Sequence, residues 1–257
     1  MISVAALTDA FTAMGVRPGT VLHVQASLRA LGPVEGGAGG VVDALSEALG
    51  PDGTLVAFTA TPENSSTSRI YQSAVAGLSA AEVAAHQARM PRFDPATTPA
   101  SPTVGALSEE IRTRPGALRS SHPQTSWVAL GPSAAEITAH HPLTSHLGPD
   151  SPLGRLYDLD ARVLQLGVGM ARFTAFHLAD LRQPGVQVRE YRCVAPEGWI
   201  TFQAPDLDDV HFADLGTRVL AAATGVTTAR LGTADCRLVP MREAVDLADR
   251  ILRRARA

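Results

Sequence analysis

The sequence predicts an α/β protein in which helices cover a parallel or mixed sheet, and three features predict it. Between residues 5 and 59 the order is helix, strand, glycine-rich loop, helix, strand, the layout of a βαβ unit. Around Leu164 an apolar strand runs into Gly167 and Gly169 and then into a second helical stretch. The chain closes on an amphipathic helix, Met241–Arg256. With no internal repeat, low-complexity tract or interdomain linker, one domain over residues 1–257 is expected.

The elements follow in order. Leu7, Phe11 and Met14 recur at helical spacing over 5–15 and stop at Gly15. Residues 21–26 alternate as a strand, which puts His23 and Gln25 on one face. The glycine-rich loop from Ser27 leads to a helix over 41–49, a Gly50-Pro-Asp-Gly turn and a strand from Thr54. Bare amides in such a loop suit an anionic group, although neither G-x-x-x-x-G-K-[ST] nor G-x-G-x-x-G is present, and a turn needing positive φ explains the glycines equally well. Residues 61–105 are loop-rich around a helical piece at 80–88, and the proline-rich run from Pro91 to Gly105 favours an ordered binding loop. Further on come a helix near 107–113, a strand at 126–131 and a helix at 133–141. A hairpin around Pro196-Glu-Gly, a helix over 213–223 and a strand within 229–238 precede the closing helix.

Composition narrows the function classes. The net charge is −3, and no basic run occurs before Arg253-Arg254, which argues against a nucleic-acid partner and permits a cationic one. All 22 basic residues are arginine, so a P-loop lysine and a lysine Schiff base are both excluded. No apolar run reaches membrane-spanning length and Met1-Ile-Ser-Val lacks a charged signal start, so a cytoplasmic protein with no membrane partner is expected. Cys193 and Cys236 then read as reduced, buried thiols. Nothing in the sequence specifies an oligomeric state.

Thr174-x-x-His177-x-x-Asp180 is the chemical centre of this reading. Thr174 is placed as a helix cap, and His177 and Asp180 share a helix face at i, i+3, as a base and an orienting carboxylate would. A capped helix with a half-buried histidine is the structural alternative. Of the eight histidines, His122, His140, His141 and His146 lie nearest one another, but without zinc spacing, and no metal is expected. His140 and His141 are read as interacting with a helix C-terminus, and His211 as a surface residue. His122, in a Ser-Ser-His-Pro turn, is the second candidate base. A Ser-His-Asp triad stays open, with no Gly-x-Ser-x-Gly elbow to support it.

In order along nearly the whole chain stand Ser27-Leu-Arg with Gly32-x-Val-x-Gly36-Gly37, Gly50-Pro-x-Gly-Thr-Leu-Val, and Phe93-Asp-Pro-x-Thr-x-Pro-x-Ser-Pro-x-x-Gly105. Arg119-Ser-x-His122-Pro, Ser151-Pro-Leu-x-Arg-Leu, Leu164-x-Leu-Gly-Val-Gly and the Thr174 motif follow. In these motifs the chain resembles the aminoglycoside 3-N-acetyltransferase family, which does not share the GNAT fold. The resemblance implies a single three-layer α/β/α domain with a mixed central sheet. It implies acetyl-CoA as cosubstrate, held by Ser27, Leu28, Arg29, Val34, Gly36 and Gly37 with Ser101 and Thr103. It implies an acidic cleft for the acceptor amine, with Gln25, Asp94 and Asp180 as contacts. Three positions depart from the family pattern: Gln25 stands for the usual His, Phe173 for Asn and Asp180 for Glu.

The reaction expected is acetyl transfer to the 3-amino group of an aminoglycoside antibiotic, a resistance activity. His177 would be the general base because an imidazole titrates near working pH, Asp180 would hold its tautomer, and amides of the 27–29 turn would stabilise the oxyanion. The alternatives are the same transfer to another metabolite's amine, or a catalytically weakened CoA-binding member of the family.

Overall fold

The computed structural model describes residues 1–256. Seven strands form a mixed sheet: β1 (Val21–Ala26), β2 (Thr54–Phe58), β3 (Leu118–Arg119), β4 (Trp127–Leu130), β5 (Arg162–Leu166), and, numbered after an intervening hairpin of β6 (Val188–Ala195) and β7 (Gly198–Pro205), β8 (Thr227–Leu231) and β9 (Ala234–Pro240). Their order across the sheet is β3-β4-β2-β1-β5-β9-β8. At the centre β1 pairs in parallel with both β2 and β5, and the remaining pairs are antiparallel. Helices on both faces complete a three-layer α/β/α domain. The βαβ unit is therefore real, and the antiparallel flanks make the sheet mixed.

Strand alternation divides the core in two. Leu22, Val24, Leu55, Ala57, Leu164 and Leu166 point toward the helices Val4–Met14, Gly37–Leu49 and Ala106–Arg112. Val56, Val163 and Val239 point the other way, toward Pro152–Asp158, Phe176–Leu181, Phe212–Ala222 and Met241–Arg256. By the same period of two, His23, Gln25 and Gln165 face this second layer. Burying both faces needs nearly continuous apolar strands, so the three polar side chains at the sheet centre stand out.

Local chemistry sets the helix ends. Gly15, with φ +108, closes the first helix in the left-handed conformation. The helix after the glycine-rich loop begins at Gly37, four residues before the start expected at Val41, because Gly36 takes φ +70 as its cap. Gly40 is required by close approach, since a Cβ there would stand 1.8 Å from the Glu35 carbonyl. The helix expected over 133–141 spans only Ala134–Thr138, so His140 and His141 lie beyond it. The strand expected within 229–238 is a hairpin, β8 and β9, turning at Gly232-Thr233. Leu231-Gly-Thr-Ala carried that signal.

The Pro91–Gly105 stretch is an ordered loop. Phe93 is buried beneath the Arg119 guanidinium, 5.1 Å from its ring centre. Arg119 also donates to Thr59 O (2.7 Å), to Ser126 Oγ (2.9 Å) and to Thr98 O. One half-buried cation thus ties the loop to the sheet edge. Burial lowers its pKa to about 10, which leaves it charged.

Candidate active site

A cleft of about 610 Å³ opens where β1, β2 and β5 end. This is where open α/β sheets with parallel strands bind ligands, because the loops diverge there. His23, Gln25 and Ala26 of β1 and Phe58 of β2 line the floor, and Val168, Ala171, Arg172 and Thr174 come from the turn after β5. Thr103 and Val104 close one side, and His177, Asp209 and Phe212 another.

His177 sits in the first turn of Phe176–Leu181, packed on Phe212 with ring centres 4.8 Å apart. It is 9% exposed. Burial pushes its pKa down to about 4, with Asp209 and Asp208 pulling upward and His211 adding to the fall. The ring is therefore neutral throughout the working range, and the expectation that it titrates near neutrality is corrected. Its Nδ1 is buried without a hydrogen-bond partner, so the tautomer-holding bond expected from Asp180 is not made there. Asp180 Oδ1 instead accepts from His211 Nε2 at 2.9 Å. His211 stands at the start of Phe212–Ala222, so tertiary packing makes a partner of a residue read as plain surface.

Thr174 does not cap the helix. The cap is Ala175, and Thr174 Oγ1 accepts from Gln25 Nε2 at 2.9 Å. Gln25 lines the cleft, and its amide is engaged with Arg172 O, Thr174 and Gln165. Asp94 is exposed outside the cleft lining, and its carboxylate accepts from Ala96 N and Thr97 Oγ1. It closes its own turn, and the structure does not bring this expected acceptor contact into the cleft.

His122 is fully buried and absent from the cleft wall. Its Nδ1 accepts from the amides of Gln124 (3.1 Å) and Thr125 (3.2 Å), which explains the Ser-His-Pro turn structurally and removes His122 as a candidate base. Its ring lies 4.4 Å from His146 and 4.8 Å from His141, under Phe202 of the β6–β7 hairpin, whose Tyr191 covers His146. His141 Nε2 donates to the His146 carbonyl and its Nδ1 accepts from Ser120, so it is part of this buried cluster and not a helix-dipole partner. Among the described residues no group of His, Cys, Asp or Glu is arranged to hold a metal ion.

Of the residues expected to hold the coenzyme, Thr103 lines the cleft. Buried Ser101 lies just behind it, its hydroxyl 2.7 Å from Thr103 Oγ1 and donating to Glu63 at 2.5 Å. Ser27 directly follows the cleft residue Ala26 and caps the short helix Leu28–Leu31. Val34 bridges to Ile2, and exposed Gly36 and Gly37 open a 13-residue helix with no side-chain cap. A Cβ at Gly37 would meet nothing within 4 Å, so the turn is open on that side, while the Gly37 amide itself donates to Val34 O at 3.0 Å. Arg29, in the short helix Leu28–Leu31, is exposed. Sequence reasoning missed Asp208, Asp209, His211 and Phe212, all in or next to the polar segment after β7. The only signal was the paired acids in a loop.

A histidine-bearing cleft at the ends of parallel strands, with Asp209 in its wall, is the build of a small-molecule enzyme. The chain belongs to the aminoglycoside 3-N-acetyltransferase family, whose sequence profile matches residues 23–253. Aminoglycoside N(3)-acetyltransferase III of Pseudomonas aeruginosa is 36% identical over 246 residues, covering 91% of this chain and 87% of that protein. The crystal structure of YokD from Bacillus subtilis superposes with a TM-score of 0.90 at 29% identity, over 98% of this chain and 93% of that one. A binary complex of AAC-IIIb with CoASH superposes with a TM-score of 0.82 at 29% identity, over 98% and 97%. Among the described residues no helix is long and apolar enough to cross a membrane.

Proposed function

We propose that the protein, acting as one domain over residues 1–257, transfers acetyl from acetyl-CoA to the 3-amino group of an aminoglycoside, with His177 taking the proton. Acetyl-CoA-dependent transfer to aminoglycoside amines is the activity of the family to which the chain belongs. The observation that carries the assignment of roles is the position of neutral, buried His177 on the cleft wall beside Asp209. The glycine turn from Ser27 to Gly37, with Arg29, Ser101 and Thr103, supports the reading of this side as the coenzyme's. Acetyl-CoA brings an activated acyl group, and the residues of the chain supply the rest.

An ammonium has no lone pair, so the acceptor amine reacts only as the free base. Asp209, half exposed at the cleft and 3.6 Å from Arg172, and Asp180 nearby attract the other charges of a polycation. As the amine nitrogen bonds to carbon its remaining protons become strongly acidic. A base with a pKa of about 4 is then sufficient, and His177 is always in its accepting form. Phe212, packed against the ring, keeps water from that face. The proposed location is the cytoplasm, where acetyl-CoA is available.

The test is thiol release from acetyl-CoA, followed with a disulfide reagent, against a panel of aminoglycosides and simple metabolite amines. Turnover with aminoglycosides carrying a free 3-amino group, lost when that amine is absent, is the expected result. Turnover confined to the metabolite amines would transfer the assignment to the alternative acceptor. Coenzyme binding without turnover on any amine would leave a CoA-binding protein.

A further inference from the structure

Two glutamines meet beneath the cleft on neighbouring parallel strands. Gln25 in β1 and Gln165 in β5 are register partners. Gln165 is fully buried, and its Nε2 donates to Gln25 Oε1 and to Gly169 O, each at 3.2 Å. Gln25 Nε2 donates in turn to Arg172 O at 2.5 Å and to Thr174 Oγ1 at 2.9 Å. A primary amide has two N–H donors, so both side chains have spent theirs. Three of the four bonds land on residues 169–174, the turn that joins β5 to the His177 helix.

That turn has few other polar anchors to the sheet. It begins at Gly167, with φ +65 and packed so tightly that a Cβ would stand 2.6 Å from Ala30 Cβ. It then supplies Val168, Ala171, Arg172 and Thr174 to the cleft and ends next to Ala175, the cap of the helix that carries His177. Buried amide donors in an apolar sheet centre are costly unless bonded, and although Gln165 Oε1 has no partner, all four donors of the pair are used, which ties it to one arrangement of the turn.

We propose that Gln25 and Gln165 are positioning residues for acetyl transfer, a two-glutamine clamp that holds the 169–174 turn and thereby sets where His177 stands in the cleft. The inference rests on His177 being the base. Neither glutamine takes a proton. Their contribution is geometric, because a displacement of about 1 Å in a reacting group costs up to roughly a hundredfold in rate.

The experiment compares Gln25→Met, Gln25→Glu, Gln165→Met and the double Met variant in the full-length enzyme, with His177→Ala alongside. Gln25→Glu keeps the shape but turns two donors into acceptors facing Arg172 O. The expected result is a fall in kcat of about ten- to a hundredfold in each single variant, with KM for acetyl-CoA changed by less than about threefold. The double variant should be no slower than the worse single, because one device has been removed once. Hydrogen exchange should quicken at amides 169–174 and not in the helix Gly37–Leu49. Should Gln165→Met fail to fold, the half-exposed Gln25→Glu still decides. Unchanged kcat in Gln25→Glu, additive losses, or unchanged exchange at 169–174 would overturn the clamp. An inactive His177→Ala beside fully active glutamine variants overturns the clamp alone, whereas a fully active His177→Ala overturns the assignment of the base.

Discussion

His177, the proposed base, is held neutral and well below its usual range by burial, and this has a direct kinetic consequence. Its own titration lies near pH 4, so it should contribute no limb to the pH–rate profile between about pH 6 and 9. Activity should instead rise with pH as the acceptor amine loses its proton, and level off near the amine's own pKa. A limb near pH 6.5 that disappears in His177→Gln would contradict this. His177→Ala should lower turnover by roughly 10²–10⁴ while leaving acetyl-CoA affinity, read by calorimetry, within a few-fold. Asp180 is bonded to His211 at 2.9 Å, so any part it plays in the proposed reaction is at one remove from His177. Asp180→Asn and His211→Asn should therefore each cost less than His177→Ala. Equal losses would mean that the carboxylate takes part in the proton transfer itself.

At the scale of elements, the glycine turn before the helix Gly37–Leu49 is built by contact and not by composition. Gly40 lies so close to Glu35 that a Cβ would reach within 1.8 Å of its carbonyl, and Gly36 holds φ +70. Gly40→Ala must displace the turn, and urea unfolding should register a loss of about 1–3 kcal/mol. The same variant should weaken acetyl-CoA binding, because the moved amides are those proposed for the phosphates. Gly37→Ala faces open space but also a φ of +59, so it should cost less than Gly40→Ala. A Gly40→Ala protein with wild-type stability and coenzyme affinity would show that the turn is not rigid. The β6–β7 hairpin is a second case. It covers the histidine cluster with Tyr191 and Phe202, so it docks on two neutral imidazoles, His122 and His146.

For the whole molecule those imidazoles set the response to acid. His23, His141 and His177 lie at about 4, His146 at about 3 and His122 well below 6.5, in each case first because of burial. All five bind protons more weakly folded than unfolded. Their stabilisation is complete above the unfolded value of about 6.5 and is lost as pH falls toward the folded values, at about 1.4 kcal/mol per histidine per pH unit. With five histidines lowered in the same direction, stability falls steeply below about pH 6.5, so acid unfolding should centre near pH 5. His146→Phe should move that midpoint to lower pH, since it removes one titrating group among aromatic neighbours. An acid midpoint below about pH 4 in the wild type would refute the argument. Acetyl-CoA binding only the native state should add about 2.7 kcal/mol at a hundredfold excess over Kd, visible in a thermal scan.

The sequence by itself determined what depends on neighbours along the chain. Period-two alternation put His23 and Gln25 on one face, and both line the cleft. Turn chemistry at Gly15, Gly50 and Pro196 bounded elements that the structure reproduces within a few residues, and the ordered motifs carried the family. Only the tertiary structure decided which polar groups meet. Asp180 was read with His177, three residues away, yet it bonds to His211, 31 residues away, because the segment after β7 folds across the helix. His122 was exposed in the reading and is sealed by a hairpin 70 to 80 residues distant. Gln25 was free to touch substrate in the reading, and strand register set Gln165 beside it and Thr174 within reach. Hydrogen bonds discriminate over less than an ångström, whereas hydrophobic patterning tolerates several, so the pattern is legible in one dimension and the pairing is settled only in three.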